Sequence, residues 1–252
     1  EAVRNMRRAL CDVEQEGMEL ALVCHPQLSG YQSYLGSYSF ERQREIVDLA
    51  RTVWQQEMGA AAETFRSGFF SANDYTYQVL CLEGFRQGSC SLPGRADLEQ
   101  CCMWQKALPF AHHTDPLDRK LAGTMEFFEV PVTSNFRARA QPRAETYTPP
   151  HLRIEEPCLN DDAEQIIDAC LDRMEADATA ARSLVFVTQN AVGWGSEEDP
   201  HRDRLRNLMA LVRRIAERRG MQLQPATIGS LHDYADRVWA GSDSLGEHEG
   251  MA

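Results

Sequence analysis

The sequence predicts an α/β fold in which strands and helices alternate around a parallel sheet or barrel. Three observations predict it. Met18 to Cys24 (MELALVC) is a continuous apolar run closed by His25 and Pro26, as in a strand buried on both faces. From Glu41 to Met58, apolar Ile46, Leu49, Ala50, Val53 and Trp54 fall at helical spacing, and Gly59 stands where a left-handed cap belongs. A short strand near Glu63 to Phe65 then passes through Arg66, Ser67 and Gly68 into a helix that Asn73 or Asp74 can cap and Gly84 closes.

The other elements follow in order. Glu1 to Glu16 reads as helical only. Tyr31 to Phe40, rich in Ser, Gly and Tyr, is a loop beside the end of the first strand, where chemistry in barrels collects. Residues 89 to 119 show no sustained period and are expected to be irregular, whereas Thr124 to Val132 alternates as a strand does. The stretch 134 to 157, with Pro142, Pro149, Pro150 and Pro157 after Pro131, predicts an excursion outside the regular core. Asp161 and Glu164 have capping-box spacing ahead of the stripe Ile166, Ile167, Cys170, Leu171 and Met174. Leu184 to Val187 is expected as a buried strand, with a polar loop around Trp194 behind it. A helix from about Asp203 ends at Gly220, and Thr227 can cap a last helix through Val238. No internal repeat appears, and residues 1 to 252 are read as one domain.

A chain of 252 residues, 43% hydrophobic, can bury a proper core. Its net charge of -12 disfavours a nucleic-acid backbone or an anionic membrane as the main partner, and suits a neutral or cationic ligand. No stretch approaches the roughly 20 apolar residues of a membrane span, and Glu1 to Arg8 lack the apolar core of a signal peptide. The eight cysteines are irregularly spaced without a C-x-x-C pair, so they read as reduced, small apolar residues, and a cytoplasmic location is expected.

Three stretches, in order, carry a family resemblance. GMELALVCHPQ (Gly17 to Gln27) is similar to a strand reading G-H-E-hydrophobic-x-x-H-x-H-P; His25 and Pro26 match, while Val23 stands at the first metal histidine and Met18 at the histidine after the glycine. ETFRSGFFSAND (Glu63 to Asp74) with LEGF (Leu82 to Phe85) looks like F-R-x-G-x-F-x-x-N followed by E-x-G-F/Y. Ser183 to Asp233 resembles a last strand and closing helices, with Thr188 and Gln189 where a histidine is usual. Together they resemble the polysaccharide deacetylase (NodB-homology) family, carbohydrate esterase family 4-like. The resemblance implies a deformed (β/α) barrel, here without the family's first two strands and their aspartates, and hydrolysis of the amide of an N-acylated sugar with a divalent metal such as zinc.

That chemistry needs a metal to polarise the carbonyl and activate water, a base, and an acid for the leaving amine. The resemblance implies His25 as the metal ligand and Arg66 as the residue that orients a catalytic aspartate. One imidazole holds a catalytic metal poorly, since such sites usually use three protein ligands. Phe69, Phe70, Tyr31, Tyr34 and Trp194 are aromatic candidates for stacking on sugar rings, and Asn73 joins the substrate-binding candidates. The expected partner is a carbohydrate or amide small molecule. A catalytically degenerate barrel that binds a glycan or protein partner is the other reading, and Cys101, Cys102, His112, His113 and Asp115 offer ligand types for a relocated metal site.

Overall fold

The computed structural model describes residues 2–138, 146–155, 159–179, 181–189 and 199–246. Trp194 and much of its predicted loop lie outside the described residues, as do positions 139–145 of the predicted excursion. Six α-helices and eight short strands appear among the described residues: α1 (Ala2–Gln15), β1 (Ala21–Cys24), α2 (Phe40–Met58), β2 (Thr64–Ser67), α3 (Thr76–Leu82), β3 (Gln87–Gly88), β4 (Ala96–Asp97), β5 (Cys102–Met103), β6 (His112–His113), β7 (Phe128–Glu129), β8 (Thr146–Tyr147), α4 (Leu159–Ala176), α5 (Pro200–Arg218) and α6 (Ile228–Gly246).

The main sheet runs β1-β2-β3-β7-β6. Its first four strands are parallel and β6 is antiparallel to β7. Strands β5, β4 and β8 make a separate antiparallel sheet. The main sheet is open among the described residues, with β1 and β6 at its edges, so the expected barrel is observed as a mixed α/β arrangement without closure. In β1 the pleat buries Leu22 and Cys24 and leaves Val23 exposed. The apolar run is therefore covered on one face, where α2 packs, rather than on both.

Helix α2 forms as its sequence dictates. Ser39 Oγ accepts from Arg42 N at the start, Ile46, Val47 and Trp54 are buried, and Gly59 adopts φ +81° while its N–H bonds Gln55 O. Gly84 and Gly220 also take positive φ where helix ends were predicted. Leu22, Phe65, Tyr77, Leu80, Trp104 and Phe127 belong to the core between the sheet and α2 and α3.

A second core joins α4 and α5 through Ile166, Ile167, Met174, Leu208, Val212 and Ile215. Leu152 and Ile154 are buried in it, so part of the proline-rich excursion is core rather than surface. Burying each such side chain is worth roughly 1.5–3 kcal/mol, enough to draw an irregular segment inward. The expected strand at Leu184 to Val187 is reduced to an isolated bridge between Val187 and Arg153. Asp161 carries no described side chain, and Glu164 pairs with Arg218 at 2.6 Å. Arg218, at the end of α5, and Arg219 just after it both reach Asp168 of α4.

Candidate functional site

The C-terminal ends of β1 and β2 lie side by side, with Val23 paired to Arg66 and Cys24 to Ser67. His25 follows β1 directly, Pro26 turns the chain, and Gly68 opens the turn after β2. Gly68 is required by contact: a Cβ there would lie 2.3 Å from His25 Nδ1 and 2.7 Å from Cys24 O. His25 is half-buried, and burial lowers its pKa, favouring the neutral ring.

Two consecutive non-glycine residues after Gly68 are left-handed, Phe69 at φ +59° and Phe70 at φ +60°. Each such conformation costs about 1–2 kcal/mol for an L-residue. The twist separates the two rings. Phe69 is 45% exposed, with its ring edge-on to His25 at 5.1 Å and to Tyr34 at 5.4 Å. Phe70 turns inward, within 5.1 Å of the Arg66 guanidinium and 5.8 Å of that of Arg95. Arg95 also donates to Phe69 O, at 3.0 Å, which holds the turn.

Arg66 donates from Nε to Ser89 O (3.0 Å) and from its terminal nitrogen to Ser89 Oγ (2.8 Å). Burial lowers its pKa, with Glu129 and Cys90 acting the other way. Glu129, at the end of β7, is itself buried, and that burial raises its carboxyl against the hydrogen bonds from Ser91 and the Cys90 and Ser91 backbones. Cys90 N, Ser91 N and Ser91 Oγ all donate to it, at 2.7–3.1 Å. The carboxylate thereby anchors the turn that receives Arg66. Sequence reasoning missed Glu129 and Ser91; the signal available was a glutamate inside an otherwise apolar FFEV run.

The remaining expected site residues separate. Asn73 spends its side chain on structure: Nδ2 donates to Gly36 O and Tyr38 O, and Oδ1 accepts from Gln43 Nε2 and Tyr75 N. It ties the 31–40 loop to the start of α3. Tyr31 packs edge-on to Tyr38, under Arg42. Thr188 Oγ1 and Gln189 N donate to Glu155.

A metal of the kind the resemblance implies does not fit the residues around His25. Val23 offers no donor atom where a second imidazole is expected, and the neighbours of His25 are Gly68 and the Phe69 ring. Among the described residues, the group with ligand atoms close enough to hold a metal is His113, His232 and Asp236, within 4.8 Å of one another. It lies at the other end of the sheet, beside the first residues of β3 and β7. The expected grouping of His112 and His113 is undone by the pleat of β6, which sends them to opposite faces. His112 is buried with Nδ1 against Phe110 O, and burial pushes its pKa down to about 4. The described cysteines are free thiols.

No protein-family model matches the chain, nor does any curated protein. Among solved structures, a proposed polysaccharide deacetylase from Mycobacterium smegmatis is similar over 89% of this chain and 69% of its own, at 16% identity and a TM-score of 0.45. No helix among the described residues is long and apolar enough to cross a membrane.

Proposed function

We propose that this chain is a polysaccharide deacetylase-like α/β protein whose strand-end site binds a carbohydrate, the ring of an N-acylated sugar, without a metal at His25. The observation that carries this reading is Phe69. Its backbone is held in a costly conformation, and the result is a partly exposed aromatic ring standing perpendicular to Tyr34 and His25 at the end of the sheet. Aromatic faces of this kind stack on the apolar faces of sugar rings, and a neutral imidazole alongside offers a hydrogen bond to a hydroxyl or an acyl carbonyl. Arg66, secured by Ser89 and packed on Phe70, supports that platform from beneath.

Val23 favours binding over amide hydrolysis, because it sits beside Arg66 in register and contributes no ligand atom. Titration calorimetry with N-acetylglucosamine oligomers, on the wild type and on Phe69→Gly, tests the reading. Saturable binding that weakens at least tenfold in the variant is expected. Release of free amine by the wild type in the presence of a divalent metal, lost in His25→Ala, would establish the metal-dependent hydrolase instead.

A further inference from the structure

We propose that His113, His232 and Asp236 form a binding site for a divalent transition metal of the zinc class, at the opposite end of the sheet from His25. His113 comes from β6, and His232 and Asp236 come from α6, 119 and 123 residues further along the sequence; the three converge beside Phe128. His113 Nε2 lies 2.9 Å from Asp236 Oδ1, and His232 Nε2 lies 3.6 Å from Asp236 Oδ2. Metal bonds of 2.0–2.2 Å place tetrahedral ligand atoms roughly 3.3 Å apart, between those two separations.

The hydrogen bonds behind the histidines fix which nitrogen faces the carboxylate. His113 Nδ1 lies 3.0 Å from Met125 O, and a carbonyl only accepts, so Nδ1 carries a proton and Nε2 is the nitrogen turned to Asp236. For His232 the direction is set three residues deep. The Glu19 carboxylate accepts from Thr64 Oγ1, Thr64 Oγ1 accepts from Gln87 Nε2 at 2.9 Å, and Gln87 must then turn Oε1 toward His232 Nδ1, 3.1 Å away. His232 Nδ1 therefore donates, and its Nε2 presents a lone pair.

Both imidazoles thus aim Nε2 at one carboxylate, with their far nitrogens tied to oxygen acceptors. Metal-binding histidines are arranged in this way, because the outer hydrogen bond sets the tautomer and raises ligand basicity. A proton on His113 Nε2 satisfies the 2.9 Å contact with Asp236 but leaves the lone pair of His232 Nε2 turned toward the same carboxylate. A single divalent ion satisfies all three. Two histidines and one carboxylate suit zinc, and three protein ligands leave a coordination position open. That position meets a pocket of about 580 Å³ whose lining includes Arg86, Met125 and Trp239, room for a water or a small anionic ligand.

The experiment is zinc titration of the whole chain by calorimetry, with cobalt as a spectroscopic substitute whose visible absorption reports coordination. One equivalent of metal is expected to bind, with the intensified visible bands of low-coordinate cobalt. Asp236 is 47% exposed, so Asp236→Asn should leave melting unchanged while weakening affinity at least tenfold. His25→Ala should leave affinity unchanged. Long-range proton–nitrogen spectra should show the Nε2 signals of His113 and His232 both shifting on zinc addition. Absence of zinc and cobalt binding overturns the proposal. So does binding that survives both Asp236→Asn and His232→Gln, or binding lost in His25→Ala. Sugar binding is read separately, so failure of the strand-end reading leaves this test intact.

Discussion

Gly68 lies against the imidazole of His25 with no room for a methyl group: a Cβ would sit 2.3 Å from Nδ1. Gly68→Ala therefore forces His25 and the Cys24 carbonyl apart. A loss of about 1–3 kcal/mol is expected, as for overpacking of a tight site. Denaturant unfolding measures the loss, and the displacement should appear as a shift of the His25 ring protons in the NMR spectrum.

Phe69→Gly removes the ring and also the left-handed strain, which is worth about 1 kcal/mol. Strain relief offsets the lost edge contacts with His25 and Tyr34, so the melting temperature should hold within a few degrees while sugar affinity falls. A variant that melts far lower would show instead that the ring is a packing residue.

Glu129→Gln introduces an amide where the carboxylate accepts from Cys90 N, Ser91 N and Ser91 Oγ. Since Cys90 N reaches both oxygens, either amide orientation turns a donor toward a donor. Leaving buried polar groups unpaired costs about 2–4 kcal/mol, read from chemical denaturation. Ser91→Ala removes one donor and should cost less.

The buried thiols of Cys24, Cys90, Cys102 and Cys170 and the phenol of Tyr77 all have raised pKa values, chiefly because burial disfavours their charged forms. The folded state therefore holds protons that the unfolded chain releases above its ordinary values of 9.0 and 10.0. More protons bound in the folded state means stability that is intact below pH 9 and falls as pH rises. Tyr77 faces Glu129 electrostatically but its hydroxyl makes no well-formed hydrogen bond. Tyr77→Phe should thus be near neutral at pH 7 and should flatten the loss above pH 10, as thermal melts across that range will show.

Three of the helices were legible because they carry their own punctuation: Ser39 and Gly59 bound α2, Gly84 follows α3, and Thr227 Oγ1 accepts from Ser230 N at the start of α6. Short strands were less so. The alternation at Thr124 to Val132 places β7 correctly but overstates its paired length, since pairing depends on neighbours that periodicity does not encode. The strand-end residues His25, Arg66 and Gly68 came from a motif with local spacing. The His113, His232 and Asp236 group did not, because its members meet only when α6 returns across the sheet, and adjacency in sequence pointed to His112 instead. Backbone alternation alone rules out that pairing, but only once β6 is known to be a strand.

Glu19 Oε2 accepts from Gly229 N at 2.9 Å, joining positions 210 residues apart. The same carboxylate accepts from Thr64, and His232 lies stacked on Phe128 at 4.8 Å. During synthesis, then, the nascent chain exposes the Gln87 and Phe128 side of its sheet until α6 emerges, the last described element to leave the ribosome. Contacts of such sequence separation slow folding, because loop-closure entropy must be spent before they form. The interval in which chaperones or non-native partners can occupy that face is set by the arrival of one helix.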